Sequence, residues 1–205
     1  MDKDRSGHWE GVYSSKGEAE VSWFQEDPAP SLALIAAAGA TPASPVIDIG
    51  GGASRLVDAL LARGHGDVTV LDLSAAALET ARGRLGPAGD AVHWIVADVT
   101  TWQPPRRYDV WHDRAAFHFL TDPADRAAYV AALTAALPPG GHAVIATFAL
   151  DGPERCSGLP VMRYDGDSLA AVLGAGFARR ETVAHSHLTP WGAAQSFQFS
   201  LFRRL

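Results

Sequence analysis

Short runs of apolar residues alternate along the chain with longer stretches whose apolar residues recur at helical spacing. The apolar runs predict strands over 46–49, 68–71, 92–97, 108–112 and 142–148. The helical spacing predicts helices over 31–38, 54–63, 75–85, 123–137 and 167–173. Uninterrupted apolar strands that alternate with helices are typical of a parallel sheet covered on both faces. The expected fold is therefore α/β, a Rossmann-like, mostly parallel sheet between two layers of helices.

The two ends of the chain depart from this alternation. Residues 1–30 are polar with interspersed aromatic side chains, which predicts an N-terminal helix and loop ahead of a single domain over 31–205. Ser31 is predicted to cap the helix that follows it, and Gly39 to end that helix. The runs 179–187 and 196–203 favour a long hairpin, which completes a seven-stranded sheet with an antiparallel last strand.

Composition narrows the possible functions. The 17 Lys and Arg against 23 Asp and Glu give a formal charge of −6, and no basic patch is present to bind a nucleic-acid backbone. The longest apolar stretch, 32–38, is too short to span a bilayer, and the N-terminus has no apolar signal core. With Cys156 as the single cysteine, a cysteine-rich zinc site is not expected. We therefore expect a cytoplasmic protein with no metal, no membrane and no nucleic-acid partner.

A glycine turn follows the first strand and indicates a ligand site. Gly50, Gly51 and Gly52 lie between this strand and the next helix, where the absence of side chains lets a ligand approach backbone N–H groups. Asp72 ends the second strand, at the position where an acid accepts both hydroxyl groups of a ribose in open α/β sheets. The turn and the acid together predict a nucleoside cofactor.

Two further acids distinguish between nucleoside cofactors. The dinucleotide fingerprint requires a third glycine at position 55, which is Arg55 here. Asp48 lies inside the first strand, and Asp98 follows the third strand. Three acids at one edge of a sheet would repel a pyrophosphate but suit a cofactor with a sulfonium and an ammonium group. This favours a sulfonium amino acid over NAD.

These motifs resemble those of class I S-adenosylmethionine-dependent methyltransferases. The matching segments are VIDIGGGAS at 46–54, VLDLS at 70–74, ADV at 97–99 and LPPGGHAVI at 137–145. The resemblance implies the seven-stranded sheet and S-adenosylmethionine as cofactor. It also implies contacts of Gly50 and Gly52 with the methionine part, of Asp72 and Leu73 with the ribose, and of Asp98 and Val99 with the adenine.

A narrower resemblance is to the thiopurine S-methyltransferase branch. It rests on YDVWHDRAAFHFL at 108–120, PADRAAY at 123–129 and DGP at 151–153. In that branch the arginine that matches Arg114 lies beside the cofactor, and aromatic residues at the N-terminus cover it. The resemblance therefore implies that Trp9 and Tyr13 contact the cofactor as part of a lid over 1–30.

The acceptor is expected to be a small molecule. A thiol or another soft nucleophile is favoured, because a thiolate is accessible near neutral pH. A hydroxyl or amine acceptor would need a general base, for which His112, Asp113 and His118 are the candidates. Asp113 and Arg114 together form the candidate catalytic pair. The side chains expected to line a flat or apolar acceptor site are Trp23, Phe24, Cys156, Tyr164 and Trp191.

Two other functions stay open at this point. The segment DRAA at 113–116 also resembles the DKGT segment of some protein lysine methyltransferases, and the acids of residues 1–30 would suit a protein acceptor. A regulator that binds S-adenosylmethionine without transferring its methyl group is the third possibility. We expect the chain to be a monomer or a weak homodimer.

Overall fold

The predicted apolar strands form one sheet in the computed structural model, which describes residues 3–205. The strands are β1 Val46–Ile49, β2 Val68–Asp72, β3 Val92–Val96, β4 Val110–Arg114, β5 His142–Phe148, β6 Arg155–Cys156, β7 Leu159–Pro160, β8 Phe177–Leu188 and β9 Ala194–Arg204. The helices are α1 Lys3–Ser15, α2 Ala29–Ala37, α3 Leu56–Ala62, α4 Ala75–Leu85, α5 Pro123–Ala136 and α6 Gly166–Leu173.

The order of the strands confirms the expected fold class. The 7-stranded sheet runs β3-β2-β1-β4-β5-β9-β8, and β1 to β5 are parallel to one another. The last strand, β9, is antiparallel to β5 and to β8, as the C-terminal hairpin predicted. The pair β6–β7 forms a separate small hairpin that no apolar run indicated.

The central strands are buried because helices cover both faces of the sheet. All residues of β1 and β2 are buried, which explains their uninterrupted apolar runs. Alternate residues serve two cores, with Val46 and Val110 on one face and Ile47 and Trp111 on the other. Asp48 and His112 follow Val46 and Val110 at a spacing of two, so they are polar groups set into the first face.

Two element boundaries differ from the sequence prediction. Strand β4 covers Val110–Arg114 rather than 108–112, so Asp113 and Arg114 end the strand instead of following it. Helix α2 begins at Ala29, and Ser31 lies within its first turn rather than capping it. The Ser31 hydroxyl instead meets His112 Nε2 at 2.8 Å, a partner 81 residues away in the chain. Ser74 does cap its helix as predicted, accepting from the Ala77 N–H at 3.1 Å.

Within residues 3–205, none of the helices has both the length and the apolar composition that crossing a membrane requires.

Candidate functional site

The carboxyl ends of β1, β2 and β4 meet beneath helix α1, and a cleft lies between them. We call its two parts the main cavity, of about 100 Å³, and the second cavity, of about 50 Å³. The main cavity holds most of the predicted cofactor residues: Trp9, Tyr13, Gly50, Asp72, Leu73, Asp98, Val99 and Arg114. Asp48 and Gly51 line the second cavity instead. Tyr13, Trp23, Gly50 and Arg114 are common to both, so the parts form one cleft.

The glycine turn leaves no room for side chains at the base of this cleft. A Cβ at Gly50, whose φ is +64°, would lie 2.5 Å from the Ala116 Cβ. One at Gly51 would lie 2.6 Å from Asp48 Oδ2, and one at Gly52, whose φ is +45°, would lie 3.1 Å from Asp72 Oδ2. Both close contacts and positive φ therefore require glycine, and the bare turn brings Asp48 and Asp72 towards the same space.

Asp72 is a buried carboxyl group at the end of β2. Its Oδ1 accepts the Ser74 N–H at 2.8 Å. Burial raises the pKa of Asp72 to about 7, and the negative charge of Asp48 adds to this effect. Because Asp72 lines the main cavity and its Oδ2 lies 3.1 Å from where a Cβ of Gly52 would stand, Asp72 is well placed to accept hydroxyl groups from a ligand.

Asp98 is tied into a turn after β3 as well as lining the main cavity. Its Oδ1 accepts the Thr100 N–H at 2.9 Å and the Thr100 hydroxyl at 2.6 Å. Its Oδ2 lies 4.0 Å from Arg5 Nη1, which belongs to helix α1. Asp98 and the neighbouring Val99 thus both line the main cavity, and Asp98 is fixed there by its turn.

The N-terminal segment covers the cleft with aromatic rings. Trp9 packs edge-on against Trp23 and Phe119, with ring centroids 5.6 Å and 4.9 Å away. The Tyr13 hydroxyl accepts the Trp23 indole N–H at 3.0 Å. Burial is the main reason that the pKa of Tyr13 is raised above its usual value.

Polar contacts fasten this segment to the domain. The Ser74 hydroxyl donates to Glu10 Oε2 at 2.8 Å, at the start of α4. Further along, Glu18 binds the guanidinium group of Arg55 at 2.6 Å and also that of Arg84. The covering segment is therefore held by ion pairs at its edge and by ring packing at its centre.

Arg114 presents a guanidinium group enclosed between the two cavities. Its Nη1 donates to the Trp23 carbonyl oxygen at 2.8 Å, and the group lies over the Phe197 ring at 5.1 Å. Its Nε and Nη2 are shielded from solvent and have no hydrogen-bond partner among the described residues. Burial lowers the pKa of Arg114 to about 10, so the group keeps its charge at neutral pH.

The three candidate general bases are engaged in contacts within the protein, and of the three only His112 lines part of the cleft, the second cavity. Asp113 accepts the Ala116 N–H at 2.9 Å and the Tyr129 hydroxyl at 2.8 Å, and burial raises its pKa to about 6. His112 contacts Asp48 and Ser31 with its two ring nitrogens. His118 is fully buried; burial, reinforced by the charge of Arg114, lowers its pKa to about 3. None of the three lines the main cavity in the described part of the chain.

The predicted acceptor residues divide into two groups. Trp23 and Cys156 line the main cavity, and Phe24 lines the second. Burial raises the pKa of the Cys156 thiol to about 11. Tyr164 lies in the opposite core, with its ring 5.5 Å from Phe117, and Trp191 is 63% exposed at the turn between β8 and β9. Neither Tyr164 nor Trp191 lines either cavity of the cleft, and their part in the acceptor site stays a prediction.

Sequence reasoning missed several residues of the cleft. Phe119 and Ala115 line the main cavity, and Ser31 lines the second. Phe119 lies in a short 3-10 turn after β4, within the segment that carried the narrower resemblance. For Ser31 the helix-start pattern predicted a different role, and nothing in the sequence linked it to His112.

Among the described residues, no group of three or more His, Cys, Asp or Glu side chains is arranged to hold a metal ion.

Comparison with protein families gives one match, in which residues 46–141 fit the model of a methyltransferase domain. A comparison with curated proteins finds no match. The matched region begins at β1 and ends just before β5, so it contains the glycine turn and the three acids at the edge of the sheet.

Solved structures resemble nearly the whole chain. A structure determined in work on the conversion of a disulfide bond into a thioacetal group during echinomycin biosynthesis has a TM-score of 0.71 and 24% identity, covering 97% of this chain and 92% of that one. The 1,6-didemethyltoxoflavin-N1-methyltransferase of Burkholderia thailandensis, with S-adenosylhomocysteine bound, has a TM-score of 0.69 and 22% identity, covering 98% and 85%. The N-methyltransferase NodS of Bradyrhizobium japonicum, in complex with S-adenosylhomocysteine, has a TM-score of 0.68 and 17% identity, covering 88% and 89%.

Proposed function

We propose that this chain, whose residues 46–141 match a methyltransferase domain, is an S-adenosylmethionine-dependent methyltransferase that transfers the methyl group to a small-molecule acceptor reacting as a soft anion, a thiolate above all. The carrying observation is that a buried guanidinium group borders the cleft, whereas none of the three candidate bases lines its main cavity in the described part of the chain. His112 lines the second cavity, but its two ring nitrogens are engaged by Asp48 and Ser31. The charge suits an anion, and an acceptor in the main cavity must ionise without a base beside it.

The residues of the cleft fit the cofactor. The glycine turn lets the backbone approach a ligand closely, and Asp72 would accept the two ribose hydroxyl groups. Asp98 and Val99 would border the adenine, and Asp48 would face the ammonium group. When bound, S-adenosylmethionine supplies a methyl group on a positively charged sulfur. The chain's own work is then to hold this group, orient the acceptor and exclude water.

Arg114 is the residue that favours an ionised acceptor. A positive charge beside an acidic group stabilises its anionic form and lowers its pKa. Two N–H groups of Arg114 are enclosed without partners, and leaving such donors unpaired costs about 1–3 kcal/mol each, more when the group is charged. An anionic ligand group beside Arg114 would offset that cost.

The remaining wall of the main cavity suits a flat or apolar acceptor. Trp9, Trp23 and Phe119 contribute aromatic surface, and Cys156 lies among them as a neutral thiol. The resemblance to the thiopurine S-methyltransferase branch supports a sulfur acceptor. So does the likeness to the structure from echinomycin biosynthesis, whose subject is chemistry at sulfur.

A protein acceptor is less well supported, because the acids of the N-terminal segment are engaged. Glu10 accepts the Ser74 hydroxyl, and Glu18 is paired with Arg55 and Arg84. Of the acidic groups expected to attract a basic peptide, these two serve instead to fasten the segment over the cleft. We propose that residues 1–30 act as a lid in this way.

Product detection by mass spectrometry tests the proposed function. The protein would be incubated with S-adenosylmethionine and, in parallel, with small thiols, phenols, amines and a library of lysine peptides. We expect thiols to be methylated fastest. Methylation confined to peptides would contradict the small-molecule proposal, and tight cofactor binding without any product would support a regulator.

Variants of Arg114 and His118 test how the acceptor is activated. Arg114→Ala is expected to lower kcat/KM for a thiol strongly, because it removes the charge that favours the thiolate. His118→Ala is expected to lower kcat less than about tenfold, far short of the 10²–10⁴ expected for loss of a general base. A loss of about a thousandfold in His118→Ala, with unchanged cofactor affinity, would contradict the proposal and point to oxygen or nitrogen methylation.

A further inference from the structure

A chain of hydrogen bonds links helix α2 to the first strand through a buried histidine. His112 Nδ1 lies 2.6 Å from Asp48 Oδ1, and His112 Nε2 lies 2.8 Å from the Ser31 hydroxyl. The three side chains are 1% to 2% exposed. Since an ionised carboxylate only accepts, His112 Nδ1 must donate to Asp48, and in the neutral ring Nε2 then accepts from Ser31.

The register of strands β1 and β4 places two of these hydrogen-bonding residues next to each other. Asp48 and His112 are direct partners in the parallel pairing of β1 with β4, so their side chains emerge side by side on one face. Helix α2 packs against that face and brings Ser31 to the far nitrogen of the ring. Apolar side chains such as Leu32 and Ile35 surround the three, so each polar atom depends on the others for its hydrogen bonds.

The other oxygen of Asp48 faces the ligand cleft. A Cβ at Gly51 would lie 2.6 Å from Asp48 Oδ2, so this oxygen lies directly behind the glycine turn. Asp48 also lines the second cavity, and Oδ2 forms no hydrogen bond with any described residue. One carboxylate oxygen is thus fixed by His112, and the other is free to accept from a ligand.

The same order of serine, histidine and aspartate occurs in hydrolases, where the histidine activates the serine as a nucleophile. In this protein Ser31 is poorly placed to act as a nucleophile, because the residue belongs to helix α2, packs towards the sheet and is only 1% exposed. The member of this hydrogen-bond chain that lines the cleft is Asp48. The hydrogen bonds of Ser31 and His112 therefore act on the orientation of the Asp48 carboxylate.

We propose that His112 and Ser31 are positioning residues, which hold the Asp48 carboxylate in the orientation that presents Oδ2 to the ammonium group at the amino-acid end of the cofactor. This inference rests on the proposed function. The χ2 torsion of an aspartate is broad, so an unsupported carboxylate samples many orientations. Fixing it before the ligand arrives avoids part of the ordering cost of binding. Arg114, whose pKa the charge of Asp48 raises, is the nearby cation that a misdirected carboxylate would meet instead.

The test compares two ligands that differ only at the amino-acid end. S-adenosylhomocysteine carries the ammonium and carboxylate groups, whereas 5′-methylthioadenosine keeps the adenosine and the thioether but lacks both. Calorimetry on His112→Gln, which loses the donor to Asp48, is expected to show S-adenosylhomocysteine bound about tenfold more weakly. The affinity for 5′-methylthioadenosine should change less than about twofold.

Two further variants separate orientation from general damage. His112→Asn places an amide N–H where the ring Nδ1 stands, so it is expected to restore most of the affinity for S-adenosylhomocysteine. Ser31→Ala is expected to weaken that ligand selectively. Ser200→Ala is the matched control, since Ser200 is an equally buried serine bonded to Thr182 and Gln198 in the β8–β9 hairpin.

Proton NMR of the free protein checks the geometry without any ligand. A strongly deshielded imidazole N–H proton is expected from the short bond to Asp48, and it should be absent in Asp48→Asn and in His112→Gln. Equal weakening of both ligands in His112→Gln, or absence of this proton in the wild type, would overturn the inference. A wild type that binds neither ligand would overturn the proposed function itself, and the inference with it.

Discussion

Asp72 provides the clearest pH dependence at the scale of single residues. Its folded-state pKa of about 7 lies above the ordinary 3.8, so the ionised form is disfavoured by folding, and the unfolding free energy falls as the pH rises from about 4 to about 7. Ligand binding has the opposite sign, because two ribose hydroxyl groups donate best to the ionised carboxylate. Asp48 and Tyr13 are the other titratable groups that face it.

We therefore expect the affinity for S-adenosylhomocysteine to fall about tenfold between pH 8 and pH 6, as the ionised fraction of Asp72 falls. Asp72→Asn should bind more weakly at pH 8 and lose this dependence, since its amide does not titrate in that range. Titration calorimetry at several pH values measures both. An equally steep pH dependence in Asp72→Asn would assign the effect to another group.

Gly52 tests whether the bare turn matters for the ligand or only for the backbone. Gly52 has a φ of +45° and lies close to both Asp72 and Tyr13, whereas Gly64 has a φ of +82° and open space around its Cβ position. Gly52→Ala and Gly64→Ala should both lose about 1 kcal/mol of stability from the strained backbone. Only Gly52→Ala should lose affinity for S-adenosylhomocysteine, and equal affinities in the two variants would mean that the turn is not the ligand site.

The sequence predicted those site residues whose position follows from the end of a strand. Gly50, Asp72 and Asp98 each follow an apolar run, and parallel strands bring such ends together at one edge. The contact between Ser31 and His112 escaped prediction, because a contact between residues 81 positions apart depends on how a helix packs on the sheet. A serine near the start of a helix is readily interpreted as its N-terminal cap, and for Ser31 that interpretation was wrong.

At the scale of secondary-structure elements, too, some bounds were predicted from the sequence and others were not. Strands β1 and β5 were predicted at their observed bounds, since most of their residues are apolar and turn residues flank them. Strand β4 was placed two residues too early, because Tyr108 extends its apolar pattern although its N–H bonds to Ala136 outside the sheet. The hairpin β6–β7, which carries Cys156 to the cleft, is too short to leave a pattern.

The proposed lid, residues 1–30, is the segment whose attachment is most directly testable. Glu18 pairs with both Arg55 and Arg84 and is partly buried, whereas Glu26 lies 3.9 Å from Arg55 and is mostly exposed. We expect Glu18→Gln to speed proteolysis within residues 14–20 about two- to fivefold, as the loss of about 0.5–1 kcal/mol implies. Glu26→Gln is the control and should change the rate little.

Saturating S-adenosylhomocysteine should slow this cleavage in the wild type, because a ligand under the lid favours its closed position. High salt should raise the wild-type rate towards that of Glu18→Gln, since screening weakens exposed ion pairs. A cleavage rate that S-adenosylhomocysteine leaves unchanged would argue that residues 1–30 are a fixed part of the domain rather than a lid.

At the scale of the whole molecule, the sheet order explains why the acids gather on one side. The strands β2, β1 and β4 are adjacent and parallel, so their carboxyl ends lie in a row, and the third acid follows β3 next to them. Three acids near one cleft, Asp48, Asp72 and Asp98, would repel a pyrophosphate, and Arg55 stands where a dinucleotide site requires glycine. A cofactor whose charges are positive at sulfur and nitrogen is the better electrostatic match.

This match predicts which nucleosides stabilise the fold. A ligand at one hundred times its dissociation constant adds about 2.7 kcal/mol to the unfolding free energy, which for a domain of this size raises Tm by about 5–10 °C. We expect that shift with S-adenosylhomocysteine in a thermal unfolding experiment, and none with NAD at millimolar concentration. Gly52→Ala should retain a cooperative transition but lose the shift, which ties the stabilisation to the turn. A shift with NAD alone would mean that the acids do not repel a pyrophosphate, and the assignment of the cofactor would be wrong even though the fold is right.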